Sequence, residues 1–145
     1  MKYTEIAQDL FELPTHYVLA HCIAADARMG TGIAVEFANR YRELRSMMQS
    51  LNLIVGEVIL FSQNDSTHRF FNLITKTKSS GKPTRESFNK TILRLKDIAI
   101  EHEIKHIGMP LIGSGLDKLN WDESRKWIQE VFQDTDIEIV VCIKP

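Results

Sequence analysis

Cysteine is scarce in this chain. Cys22 and Cys142 are the only two in 145 residues, too few for the disulfide framework that staples small secreted folds. Each stands inside an apolar run with the character of a strand, which suits buried free thiols of a reducing compartment. Long hydrophobic runs are missing too. No segment approaches the ~20 apolar residues that span a bilayer, and no amino-terminal stretch has the parts of a secretory signal, so the expectation is a soluble cytoplasmic protein with no membrane partner. An excess of one charge is also lacking: eighteen Lys and Arg face nineteen Asp and Glu, a formal charge of −1. That balance excludes an overall positive field for gripping a nucleic-acid backbone, while leaving a local basic rim open. There is no internal repeat or low-complexity tract. At this length, with 43% hydrophobic residues, one domain over 1–145 is expected.

Glycine is sparse as well, and four of the seven, Gly30, Gly32, Gly113 and Gly115, fall in two short turns. The first turn follows Tyr17-Val-Leu-Ala-His21-Cys22-Ile23, a near-continuous apolar run of the kind that forms a strand buried on both faces. It reads Ala25-Asp26-Ala27-Arg28-Met29-Gly30-Thr31-Gly32-Ile33-Ala34 and runs into a helical pattern through Val35, Phe37 and Ala38. Strand, glycine turn, helix aims unpaired amides and the positive end of a helix dipole at one place, which suits an anion. The turn lacks the Lys-Ser/Thr ending of a nucleotide-triphosphatase loop and the dinucleotide fingerprint, so a polyphosphate held there needs no catalytic magnesium. The second turn, Met109-Pro110-Leu111-Ile112-Gly113-Ser114-Gly115-Leu116-Asp117, follows the short apolar run Lys105–Met109. Gly113 and Gly115 allow positive φ and close approach of backbone N–H groups to an anion; alone, the same letters read more readily as a connector.

The remaining elements alternate. Tyr3–Ile6 reads as a strand followed by the turn Gln8-Asp9-Leu10-Phe11, and Tyr41–Ser50 as a short helix with Met47 and Met48 filling core. Glu57–Ser62 and Arg69–Thr75 read as a hairpin pair around the polar connection 63–67. Lys76 ends the second of these strands. After the loop 77–83, Thr84 caps a helix over Arg85–His102 with Phe88, Ile92, Leu95 and Ala99 on one face. Asn120 and Glu123 have capping-box spacing ahead of a helix that buries Ile128, Val131 and Phe132, and Ile137–Ile143 closes as a strand. The pattern predicts a three-layer α/β/α domain with a mixed central sheet.

His102-Glu-Ile-Lys-His106 matches the letters of the zinc-protease motif, which requires both histidines on one unbroken helix. Here the helical pattern stops near His102 and a strand follows, so no metal site is expected. Lys76 and Asp117 both end buried strands, and the open ends of such strands can meet on one rim. An amine in a partly desolvated cleft can attack an anomeric carbon while a carboxylate moves the proton. Cys22 is the rival nucleophile, with neighbours that imply burial.

Taken together, Gln8–Phe11, Leu19–Ile23, Asp26–Ala34, Leu73-Ile74-Thr75-Lys76 with Lys82-Pro83-Thr84, and Met109–Asp117 resemble a macrodomain, specifically the terminal ADP-ribose protein glycohydrolase branch. The resemblance implies the macrodomain fold and, without a cofactor or metal, hydrolytic removal of ADP-ribose from acidic protein side chains or DNA bases. O-acetyl-ADP-ribose deacylation is a further activity of that branch, and a non-catalytic ADP-ribose reader is the alternative. It further implies that Asp9 holds the adenine amino group with help from the Leu10 backbone. Met29, Gly30, Thr31, Gly32, Ile33 and Ala34 would wrap the distal ribose and diphosphate, and Ile112, Gly113, Ser114, Gly115 and Leu116 would close from the other side, with Pro110, Thr75 and His21 as further contacts. Lys76 would be the catalytic nucleophile and Asp117 the catalytic acid, in a monomer. Two departures stand out: Gln8 occupies a position where the family usually has glycine, and the asparagine that many macrodomains carry after the second strand is absent, leaving His21 or its neighbours there.

Overall fold

In the computed structural model, which describes all of Met1–Pro145, the chain runs β1 (Lys2–Ala7), a 3-10 turn (Leu10–Glu12), β2 (Val18–Ala24), α1 (Ile33–Arg40), α2 (Leu44–Ser50), β3 (Val58–Phe61), β4 (Phe70–Lys76), α3 (Arg85–Glu101), β5 (His106–Met109), α4 (Trp121–Phe132) and β6 (Glu138–Ile143). The six strands form one sheet in the order β1-β6-β5-β2-β4-β3. Every pairing is parallel except β3 with β4, where Val58 faces Leu73 and Phe61 faces Phe70. The expected mixed sheet is thus present, its one antiparallel strand at an edge. No helix is long and apolar enough to cross a membrane.

Two cores flank the sheet. On one face Phe37, Leu44 and Met48 of α1 and α2 pack with Leu10 and Leu13 onto Leu19, Ile23, Phe70 and Ile74. On the other, Phe88, Ile92 and Leu95 of α3 and Ile128 and Phe132 of α4 cover Phe71, Leu73, Ile107, Ile139 and Val141. Successive β4 residues therefore enter opposite cores, as the pleat requires, and a fully buried strand reads as an unbroken apolar run.

Several local expectations need correction. The helix expected over Tyr41–Ser50 begins only at Leu44, because the Tyr41 amide instead caps α1 by donating to Phe37 O at 2.9 Å. Met48 fills the core but Met47 is 44% exposed, since adjacent positions on a helix cannot share a face. At Asn120 only half of the expected box forms. The Asn120 side chain accepts the Glu123 amide at 3.0 Å, while the Glu123 carboxylate turns toward Arg85, 3.5 Å away. The reciprocal box belongs to α3, where Thr84 and Ser87 each accept the other's amide. His102 ends α3 and His106 opens β5, so the two imidazoles sit on separate elements.

The topology defines where a ligand can enter. β2 and β5 are neighbours, yet the chain leaves β2 for α1 on one face and leaves β5 for α4 on the other. The two connections part at the carboxyl ends of the strands, opening the crevice that open α/β sheets use for ligands.

Candidate functional site

A cavity of about 440 Å³ occupies that crevice, lined by both glycine turns, Asp9, Leu10 and Phe11 at one end, Lys76 and Asp117 in its wall, and Cys142, Ile143 and Lys144 at the carboxyl end of β6. The Gln8 amide donates to Ile143 O at 3.0 Å, so the backbone continues the β1–β6 ladder into the turn. Gln8 is absent from the positive-φ residues, which is why a side chain is tolerated where glycine is usual. Asp9 then caps the 3-10 turn, one carboxylate oxygen accepting the Phe11 amide at 2.9 Å.

The β2–α1 turn is held open from behind. Ala27 and Met29 adopt left-handed φ of 50° and 51°, and α2 takes up their carbonyls, Gln49 donating to Ala27 O and Arg45 to Met29 O, both at 3.1 Å. Gly32, the α1 N-cap, has φ 62° and ψ −153°, a region that is essentially glycine's alone. The amides of Gly30, Thr31, Gly32, Ile33 and Ala34 donate to no protein acceptor. Together with the α1 dipole these free donors make a setting whose chemistry suits an anion. In the second turn Gly113 has φ 74°, while Gly115 does not use the positive φ open to it. The Leu119 amide closes this loop on Gly113 O at 2.8 Å, and a Cβ on Gly113 would stand 3.0 Å from the Phe88 ring.

Lys76 reaches the cleft through a bulge. Ile23 pairs with Ile74 but Ala24 pairs with Lys76, so Thr75 is an extra residue, and such a bulge re-aims the side chain that follows it. Lys76 Nζ donates to Asp117 Oδ1 at 2.7 Å, with the two side chains 15% and 14% exposed. At that distance and burial the contact is a charge-assisted hydrogen bond, not a solvated surface ion pair. Cys22 lines the same wall and is partly buried, less so than its apolar neighbours implied. Burial and the nearby Asp117 charge push its thiol up to about 12, which keeps it protonated and a poor nucleophile.

Two expected contacts lie outside the cavity lining. Thr75, displaced by the bulge, is 1% exposed. His21 is fully buried on the α1 side of β2, stacked on Phe37 at 3.9 Å between ring centroids. Asn72 Nδ2 donates to Ile59 O at 3.1 Å, so its Oδ1 is free to accept from His21 Nε2 at 2.6 Å. His21 is thus part of the core beneath the first turn. The lining residues that sequence reasoning missed include Ser79, Glu36, Ile143 and Lys144; for the last two, the carboxyl end of a parallel strand was the available signal.

Burial lowers the His21 pKa to about 4 despite the Asn72 hydrogen bond. The unfolded chain takes up this proton near pH 6.5 and the folded chain only near 4, so stability is lost as pH falls between those values, by roughly 3 kcal/mol. Urea unfolding at steps from pH 7 to 4 should show this loss, and His21→Gln, which keeps a donor to Asn72 without titrating, should flatten it. Equal pH slopes in the two proteins would rule His21 out as the source.

The family model of the macro domain matches residues 17–128. The human (Homo sapiens) protein ADP-ribose glycohydrolase OARD1 is 37% identical over 140 residues, 97% of this chain and 90% of its own. Among solved structures, the macrodomain of Thermus aquaticus DarG aligns with a TM-score of 0.88 at 20% identity, covering 99% of this chain and 98% of that one. Thermosipho africanus DarTG in complex with ADP-ribose aligns with a TM-score of 0.86 at 15% identity, covering 98% of this chain and 41% of that one. Likeness at such low identity speaks to architecture alone, but the family model and the human relative reach through the sequence itself, and on both grounds the chain belongs to the macrodomain family.

Proposed function

We propose that this macrodomain is an ADP-ribose glycohydrolase that works as one domain and monomer, with Lys76 as nucleophile and Asp117 as its proton partner. The observation that carries the reading is the 2.7 Å contact between Lys76 Nζ and Asp117 Oδ1 in the wall of a cleft that also presents the unpaired amides of Gly30–Ala34 and, across from them, those of Gly113, Gly115 and Leu116. A binding module needs the amides but not the pair. ADP-ribose would lie with its adenine at Asp9 and Leu10, its diphosphate between Met29–Ala34 and Ile112–Leu116, and its distal ribose at Lys76. The 37% identical relative carries the name of this activity.

In this mechanism Lys76 passes a proton to Asp117 and its free amine attacks the anomeric carbon. The bond to the modified target breaks, and the target leaves with the proton from Asp117. Water then replaces the lysine on the sugar, giving its proton to Asp117, which returns it to Lys76. The sum is one water consumed and one ADP-ribose released. Arg28, Lys78 and Lys118, exposed on the three loops around the pair, favour a target of negative charge, an acidic protein segment or DNA. O-acetyl-ADP-ribose fits the same site as a small substrate.

The test is release of free ADP-ribose from ester-linked, serine-linked and DNA-linked substrates and from O-acetyl-ADP-ribose, with calorimetry of ADP-ribose against ADP and NAD. Turnover of at least one substrate with preferential binding of ADP-ribose is expected. Tight binding with no release from any substrate makes the chain a reader.

A further inference from the structure

The loop between β4 and α3 ties both anion turns together. Ser79 donates from Oγ to Asp26 Oδ1 at 2.5 Å and from its amide to Asp26 Oδ2 at 2.8 Å, and Asp26 Oδ1 also accepts the Arg28 amide at 3.3 Å. Burial acts to raise the Asp26 pKa, but the Ser79 and Arg28 donors outweigh it and hold the carboxyl below its usual range. Three donors on one carboxylate make Asp26 the junction between the β2–α1 turn and the segment that leaves Lys76. Further along the same loop, Lys82 Nζ donates to the carbonyl of Leu116, the residue before Asp117. Leu116 in turn reaches the other turn, its Cδ1 lying 3.9 Å from where a Cβ on Gly32 would stand.

We propose that residues 77–83 are a strap that sets the Lys76–Asp117 geometry, with Asp26, Ser79 and Lys82 as positioning residues. The Asp26–Ser79 clasp fixes the backbone just after the nucleophile, and Lys82 fixes the backbone just before the acid. The polar atoms of Asp26 and Lys82 are engaged loop to loop, and Ser79, which also borders the cavity, spends both its hydroxyl and its amide on Asp26, so the strap acts chiefly through the pair. Lys82 is exposed, which limits what its single bond contributes; the clasp, part-buried and doubled, is the stronger end. The inference rests on the reading of Lys76 and Asp117 as the catalytic pair.

The experiment compares wild type with Ser79→Ala, Lys82→Met and the double variant, with Ser79→Thr and Lys82→Arg as conservative partners. Displacing a reacting group by about 1 Å costs up to about 10²-fold, so Ser79→Ala should lose roughly tenfold in kcat, Lys82→Met roughly threefold and the double roughly thirtyfold. KM and the ADP-ribose Kd should stay within about threefold, the signature of an effect on the chemical step alone. The conservative variants should recover most of the rate. In parallel, hydrogen exchange of the 112–119 amides should quicken in Lys82→Met. An unchanged kcat in the double variant, or a loss confined to KM, overturns the strap. If wild type turns over no substrate, the glycohydrolase reading fails by itself, and unaltered exchange at 112–119 then overturns the strap independently.

Discussion

Lys76→Ala is expected to release ADP-ribose at least about 10³-fold more slowly than wild type while still binding it, because on the proposed mechanism the substitution removes the nucleophile and leaves the backbone amides in place. The amides from Gly30 to Ala34 and the second turn do not depend on the lysine. Asp117 does. With its partner gone, a carboxylate only 14% exposed loses the ammonium that compensates it, and its charge would repel a diphosphate nearby. Lys76→Arg separates the two effects, since it keeps a cation beside Asp117 but offers no amine able to form the adduct. Both variants should fail in single-turnover release, whereas Lys76→Arg alone should bind ADP-ribose as wild type does. Release by Lys76→Arg within about tenfold of wild type would mean that water attacks the sugar directly and that Lys76 serves only as a charge.

The legible parts of this molecule were those with local causes. Tyr17–Ile23 could be read as a buried parallel strand because both its faces are covered, and the two glycine turns because each follows such a strand and precedes a helix. That same uniform burial hid which way each residue points. His21 shares the α1 face with Leu19 and Ile23, while Cys22 points the other way and meets the cleft; an unbroken apolar run carries no parity mark. Met47 and Met48 posed the same problem on a helix. The bulge at Thr75 could not be read either, because it arises from pairing with β2, 51 residues earlier in the case of His21 and Asn72. Lys76 and Asp117 stand out by their positions at strand ends, but their contact spans 41 residues and follows from the sheet order β5-β2-β4, which no local pattern encodes.

Gly32→Ala should weaken ADP-ribose binding by roughly 30- to 100-fold, about 2–3 kcal/mol, with little loss of fold stability beyond backbone strain. The reason is conformational and not steric. A Cβ at Gly32 meets only Leu116 Cδ1, at 3.9 Å, an ordinary contact. But φ 62° with ψ −153° costs an alanine about 1–3 kcal/mol, and the chain can relieve that cost only by rotating the peptide planes on either side. Those planes carry the amides of Gly32 and Ile33, two of the donors with no protein acceptor, so the relaxation turns them away from the anion. A cap position at the start of an eight-residue helix can absorb such a shift without unpacking Phe37 below it. Calorimetry should therefore find the same fractional loss for ADP as for ADP-ribose, since both carry the diphosphate, while the urea midpoint moves only modestly. If Kd for both ligands stays at the wild-type value, the diphosphate is not held by this turn, and the cradle would have to be sought in the amides of Gly113, Gly115 and Leu116 alone.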